Sequence, residues 1–255
     1  MNFLPLRQRI SGRCRRDLSR LFGRRMVCLR CERPVVSFTF DDFPQTALHA
    51  GGAILRKYGA VGTYYASFGL TDQDSPVGRI FSAADIDFLL SQGHELGCHT
   101  FAHCHAWETE PSVFEQSIVE NRRALDRLLP GAVFKTHSYP QSLPRPSIKR
   151  KAGRHFAACR GGGQTYNAGA TDLNSLSAFF LEQSRDNPGF VKSMIERNGA
   201  AKGWLVFATH DICGKPTPFG CTPDFFETVV RYVVESRARI LPVGAALETM
   251  NSCVP

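Results

Sequence analysis

An apolar run ends in two adjacent acids where Val35-Val36-Ser37-Phe38-Thr39-Phe40 meets Asp41-Asp42. The β-branched and aromatic content of residues 35–40 predicts a strand, so both carboxylates are delivered to its C-terminal end. In α/β architectures that edge collects catalytic groups. A second fragment, His99-Thr100-Phe101-Ala102-His103, follows another apolar run. Two histidines at i, i+4 share one side of a helical backbone, so both imidazoles can meet one ion. One carboxylate with two neutral imidazoles leaves a coordination position open, as catalytic sites do and closed structural sites do not.

Either fragment alone is weak. An Asp pair at a strand end is commonly solvated turn chemistry, and an isolated HxxxH is commonly a surface coincidence. The two in this order, each behind a predicted strand, argue for a site. A third strand-like run, Trp204 to Thr209, ends at His210, on the same expected edge.

The elements that must hold these residues are legible as an alternation. Strand-type runs recur at 35–40, 61–66, 95–98, 132–136, 155–159, 204–209 and 239–243. Helix-type segments fall at 45–58, 82–92, 112–128, 188–198 and 223–237, several opened by Ser or Pro and closed by Gly. Ser112 with Glu115 reads as a capping box. Seven strands alternating with helices predict parallel βα units in a partial or distorted barrel. No glycine-rich phosphate fingerprint follows the first strand, and Gly161-Gly162-Gly163 reads as a loop.

The chain has 255 residues, enough for one large α/β domain, and a net charge of +8. Residues 1–33 contain ten Arg and two acids, Asp17 and Glu32, whereas residues 34–255 carry 21 basic and 21 acidic residues. The charge thus describes an arm, 1–33, ahead of a neutral catalytic domain, 34–255. A neutral domain does not suit a nucleic-acid enzyme, so no nucleic-acid partner is expected. Leu6, Ile10, Cys14, Leu18, Leu21 and Phe22 fall at helical spacing, with Arg over the remaining surface. Residues 5–26 are therefore expected to form a basic amphipathic helix suited to peripheral attachment to an anionic membrane; a disordered tail and a helix packed on the barrel are the competing readings. No apolar run has the length of a membrane span, and no apolar segment follows the basic start, so no secretory leader is expected. The nine cysteines, including the lone Cys28-Leu29-Arg30-Cys31, then read as free thiols in a reducing cytoplasm, with attachment at the inner membrane face.

In order and spacing the fragments resemble the polysaccharide deacetylases of the NodB-homology type, carbohydrate esterase family 4, over about residues 34–245. Thr39-Phe40-Asp41-Asp42 is similar to the first family motif and His99 to His103 to the second. Ser138-Tyr139-Pro140-Gln141 is similar to the third, usually Arg-x-Pro-Tyr, and Leu205 to His210 to the fifth. The resemblance implies a distorted (β/α)7 barrel and metal-dependent removal of acetyl groups from N-acetylated sugars. It implies one divalent ion, most often zinc, on Asp42, His99 and His103. It implies Asp41 as general base, His210 as acid toward the leaving amine, and the Gln141 backbone N–H as oxyanion donor. Tyr139, Pro140, Phe207 and Ala208 would line the substrate pocket. Ser138 departs from the pattern, since the family has there the Arg that partners the base; Arg160, at the end of the fifth strand, is the candidate substitute.

Other histidines take plainer readings: His94 as a structural residue, His105 and His137 as neighbours of the site. The expected function is N-deacetylation of an N-acetylhexosamine-containing saccharide, such as a chitooligosaccharide. Amide hydrolysis on a small non-sugar molecule and a degenerate carbohydrate-binding domain are the alternatives.

Overall fold

The computed structural model describes residues 6–141, 143–185 and 187–251. The chain opens with α1 (Leu6–Leu21), β1 (Met26–Leu29) and β2 (Val35–Phe40). A π-helical turn (Ala47–Gly52) runs into α2 (Ala53–Lys57), followed by β3 (Thr63–Ala66), a short hairpin of β4 (Asp74–Ser75) and β5 (Gly78–Arg79), α3 (Ala83–Ser91) and β6 (Glu95–Cys98). Next come α4 (Pro111–Leu128), β7 (Thr136–Ser138), α5 (Pro146–His155), β8 (Ala158–Arg160), β9 (Gly169–Asp172) and β10 (Phe179–Phe180). The last elements are α6 (Pro188–Ala200), β11 (Trp204–Thr209), α7 (Pro223–Glu235), β12 (Arg239–Ile240) and α8 (Val243–Asn251).

The main sheet runs β10-β11-β2-β3-β6-β7-β8, all parallel. It curls into the distorted half-barrel expected from the alternation. β2 divides its second edge: β12 pairs at Val35 and Val36, and β3 pairs at Thr39 and Phe40. All six residues of β2 are buried, which is why its sequence is nearly continuous in apolar character. Val36, Phe38 and Phe40 face the helices, where Phe38 stacks on Phe207 and meets the edge of Phe226 from α7. Ser37 and Thr39 have the opposite parity, and their hydroxyls are satisfied by backbone, Ser37 to Leu241 O at 2.6 Å and Thr39 to Phe207 O at 2.7 Å. Asp41 continues that parity.

The lower end of the half-barrel is closed by α8. Val243, Ala246 and Leu247 pack against Val35, Trp204 and Val206. The Glu95 carboxylate lies under the helix start. It accepts from the Gly244 N–H at 2.8 Å, from Thr63 Oγ1 at 2.9 Å and from Thr136 Oγ1 at 2.7 Å. A carboxylate there meets the unpaired amides at the positive end of the helix dipole. In β6, Gly97 is required by Tyr65, whose ring carbons would lie 2.4 Å from any Cβ.

The helix boundaries follow their caps. Ser82 and Asp85 form a reciprocal capping box on α3. The box expected from Ser112 and Glu115 is not formed: α4 starts one residue earlier, capped by Glu110, and Glu115 pairs instead with Lys151 and His155 of α5. Helix α5 was not visible in the sequence, because one of its buried positions is Lys149, beside Ile148 and Ala152.

Lys149 explains how the basic segment joins the domain. Its ammonium is fully buried and donates to Ser19 O at 2.6 Å and to Asp172 Oδ2 at 2.7 Å. Gly23 has φ +66°, and a Cβ there would sit 2.6 Å from Pro146 O. The Arg25 guanidinium donates to Gly153 O, Phe156 O and Ala157 O. β1 then pairs antiparallel with β9, from Met26 opposite Asp172 to Leu29 opposite Gly169. The segment is therefore tied to the half-barrel through residues 19–29, ahead of the boundary expected at 33, and its helix ends at Leu21 rather than at 26.

Lys149→Ala removes the only cation within salt-bridge reach of Asp172 among the described residues. Breaking one side of a buried pair costs about 3–5 kcal/mol. Urea unfolding is expected to show a loss in that range, with the new protease-sensitive sites falling between residues 19 and 33.

Candidate active site

Three turns carry the sequence motifs, and all are at the C-terminal ends of parallel strands. After β2 the backbone enters the left-handed region at Asp42 (φ 59°) and Phe43 (φ 53°). After β6 it does so at Thr100 (φ 60°) and His103 (φ 49°), and after β7 at Gln141 (φ 63°). Five non-glycine residues in this conformation at one rim is stored backbone strain of the kind that collects at functional sites.

The second motif is not a helix, contrary to the spacing argument. Residues 99–103 form a turn in which Ser117 Oγ accepts from the N–H groups of Phe101 and Ala102, and Thr100 Oγ1 accepts from Cys104 N. The turn nevertheless brings the His99 and His103 rings to 5.0 Å between centroids. Their Nε2 atoms lie 3.4 and 3.0 Å from Asp42 Oδ1. The three donor atoms all fall within 4.8 Å of one another. Two ligands at about 2.0–2.2 Å from a tetrahedral ion stand roughly 3.4 Å apart, so the set is the right size.

The protonation pattern argues for a cation as well. His99 Nδ1 lies 2.8 Å from Ser138 O; a carbonyl can only accept, so Nδ1 carries the proton and Nε2 presents a lone pair. That lone pair faces Asp42 Oδ1, a buried oxygen without a hydrogen-bond partner. Acceptors converging without a donor are the environment a divalent ion satisfies. Burial alone would raise the Asp42 carboxyl; hydrogen bonds and charge from His103 and His99 in their protonated forms hold it well below the usual range, and a divalent ion that displaced those protons would supply the same positive charge.

Asp41 is 5% exposed, and its partner comes from across the barrel. The Arg160 guanidinium, at the end of β8, donates to both Asp41 oxygens and to Ser138 Oγ; Ser138 Oγ in turn donates to Asp41 Oδ1 at 3.0 Å. Arg160 is itself clamped between the rings of Tyr65, at 5.5 Å, and Phe180, at 5.4 Å. Burial pushes the Asp41 carboxyl up; Arg160, with His99 and His210 nearby, offsets this and holds it below its ordinary value. Thus the position where an Arg was expected holds a Ser, and the cation reaches the same carboxylate from the next strand. Ser138 was read from sequence only as a loss; its hydroxyl is the third member of the cluster.

His210 follows β11 on the same rim, half-buried, with Nδ1 3.3 Å from Phe219 O and its ring against Phe219. The neighbouring Asp211 is buried and organises the loop beneath it by accepting from Thr217 N and Thr217 Oγ1. Gln141 is exposed at the turn tip, and Pro140 O accepts from Ala106 N, which joins the third turn to the second.

Two residues expected to line the pocket face elsewhere. Tyr139 packs edge-on against His137, and its hydroxyl donates to Asn174 O at 2.9 Å. Phe207 stacks on Phe38 beneath the helices. Strand parity puts both rings on the outer surface of the sheet. Ala208 is on the inner face, with Trp204 and Val206. His137 is also outside the site, stacked on Phe156, with burial and the nearby His99 holding its ring neutral. His105 Nδ1 accepts from the amides of Trp107 and Glu108 and so caps a turn. His94 is structural: Nδ1 accepts from Gly62 N, and burial pushes its pKa down to about 4.

Sequence reasoning missed Ser117 and Asn121, which hold the second turn and Phe68 from α4. The signal was there: polar residues on the stripe Phe114, Ser117, Ile118, Asn121, Leu125, which a core-facing helix fills with apolar side chains. It also missed Glu182, whose carboxyl burial raises to about 7 near Asp41 and Arg160.

A family model described as polysaccharide deacetylase matches residues 30–155, a span holding the first three motifs. The chain belongs to the polysaccharide deacetylase family. Solved structures of similar fold include a peptidoglycan N-acetylglucosamine deacetylase (12% identity, TM-score 0.62, covering 96% of this chain and 98% of that one). A family 4 acetyl xylan esterase from Clostridium thermocellum, in complex with a cobalt ion, aligns at 20% identity and TM-score 0.59, covering 87% and 93%. A family pseudoenzyme from Bacillus anthracis aligns at 10% identity and TM-score 0.57, covering 86% and 66%. No curated protein matches the sequence. Polysaccharide deacetylases of this family are metal-dependent, and the Asp42, His99 and His103 set provides a possible site for the ion.

Titration calorimetry with zinc is expected to give one site per chain. His103→Ala should weaken it by at least ~10²-fold, beyond the 10–100-fold typical of losing an outer partner of a ligand. Retention of full affinity in that variant would move the metal elsewhere.

Proposed function

We propose that this polysaccharide deacetylase hydrolyses the N-acetyl group of an N-acetylhexosamine-containing saccharide, with chitooligosaccharides the first substrates to try. One observation carries the reading: a buried, ionised Asp41 locked by Arg160 and Ser138 stands next in sequence to the metal-type set Asp42, His99 and His103.

Asp42, His99 and His103 would hold the ion, with zinc expected. When bound, such an ion supplies Lewis acidity that lets water give up a proton near neutral pH. Asp41 is placed to take that proton on its carboxylate, because Arg160 keeps it charged in a buried site and Ser138 fixes its orientation. As water adds to the acetamide carbon, charge develops on the carbonyl oxygen, and the backbone N–H of Gln141 would donate to it. The C–N bond breaks as His210 protonates the nitrogen, releasing acetate and an amine. An amide nitrogen leaves poorly without that proton. With Nδ1 against Phe219 O, the other ring nitrogen of His210 remains available for the transfer.

The pseudoenzyme among the structural neighbours makes a non-catalytic domain the reading to exclude. Against it stand the intact Asp41, Asp42, His99, His103 and His210, together with the cation restored to Asp41 from β8.

The test is acetate release from a panel of N-acetylglucosamine oligomers, with chelator and zinc add-back. Asp41→Asn is expected to keep the zinc site and lose at least ~10²-fold in kcat. Arg160→Met should lose a similar factor, and Arg160→Lys should recover only part, since a lysine cannot reproduce the guanidinium fork. No acetate from any oligomer by zinc-loaded wild-type protein would reject the saccharide reading.

A further inference from the structure

Four large apolar side chains at the junction of α1 and β1 point away from the domain. Leu18 is 43% exposed, Leu21 59%, Phe22 55% and Met26 46%. Leu18, Leu21 and Phe22 stand at i, i+3 and i+4, so they form one patch on the last turn of the helix. A helix that docked by its apolar face would bury them. This one buries Ser19 instead, at 3% exposure, and is held by the bond from Lys149 to Ser19 O and by the close approach at Gly23. The anchoring is polar and backbone-mediated, and it leaves the apolar face outward.

Arginines surround that face. Arg16, Arg20 and Arg24 are exposed. The whole excess charge of the chain lies in residues 1–33, and the remainder is balanced. Arg15 lies over the Trp107 ring at 5.3 Å and 3.6 Å from Glu108, so the helix runs beside the loop that follows His103. The patch is thus on the flank next to the rim of the site.

We propose that α1 and the turn into β1 form a docking surface for an anionic lipid membrane. Leu18, Leu21, Phe22 and Met26 would enter the boundary between head groups and acyl chains, with Arg16, Arg20 and Arg24 on the lipid phosphates. The charge selects among possible occupants. A second copy would bring a second cluster of arginines against the first, and like charge opposes that contact. A nucleic acid would use the arginines but offers nothing to Leu21 and Phe22. Only a surface that is negative outside and apolar beneath complements both parts. The inference holds whatever the site hydrolyses.

The experiment is sedimentation of the full-length protein with phosphatidylcholine vesicles, with or without about one-third phosphatidylglycerol, at about 50 and about 500 mM salt. Expected is at least ~10-fold more bound protein on the anionic vesicles at low salt, and release at high salt, where charge is screened. Leu21→Asp/Phe22→Asp and, separately, Arg16→Glu/Arg20→Glu/Arg24→Glu should each reduce binding about 10-fold with unchanged melting temperature. A milder Leu21→Ser/Phe22→Ser, compared by circular dichroism, covers the case in which the charged pair disturbs the helix. Equal binding by wild type and all three variants, or equal binding to neutral vesicles, would overturn the proposal. So would a concentration-dependent dimer in light scattering that Leu21→Asp/Phe22→Asp abolishes, since the patch would then belong to a second copy.

Discussion

A carboxylate at 5% exposure dictates much of this molecule's shape. Removing Asp41 from water costs several kcal/mol unless an opposite charge and further hydrogen bonds meet it. The opposite charge is on β8, at the far end of the sheet path from β11. β2 and β8 can share a salt bridge only if the sheet between them curls, so the Asp41–Arg160 pair and the half-barrel require one another. The requirement extends outward. Arg160 needs Tyr65 and Phe180 to hold its plane, and Tyr65 needs Gly97 to lie where it does.

The same constraint separates what was readable in the sequence from what was not. β2, β6 and β11 match their expected limits because each is a short run buried on nearly every residue, with turn chemistry directly after it. β7 and β8 were displaced toward the chain start. In both, the apolar approach was visible, but the strand itself ends in polar residues, Ser138 and Arg160, that face the interior cluster. β9 and β10 are too short or too polar for a periodic signal. Helix α5 hides behind Lys149, a buried charge that reads as surface.

For the site, identity was more legible than geometry. The residues that converge are those whose types and order stood out, Asp41, Asp42, His99, His103 and His210. How they converge was not legible. The two histidines meet through a left-handed turn held by Ser117, a residue in another element, and nothing in a five-residue fragment encodes that support. Side-chain direction was the other gap. Tyr139 and Phe207 neighbour the motifs in sequence, yet a strand alternates faces, and each has the parity opposite to the neighbour, Ser138 or Ala208, that faces the interior. The substitution at Ser138 shows that a motif can keep its charge balance while the residue supplying the charge moves to another strand.

The pairing of β1 with β9 joins segments about 140 residues apart. During synthesis the first strand emerges long before its partner exists. At roughly 5–20 residues per second, the gap is on the order of 10–30 s. Throughout that interval Arg25 lacks the carbonyl oxygens of residues 153–157, and Ser19 lacks Lys149. For that interval the basic helix is free to meet a surface, and it is fastened once residues 149–172 follow it, while β2 still waits for β11 and β12. The order of events in the nascent chain makes an encounter between α1 and its surroundings precede the completion of the barrel that later carries it.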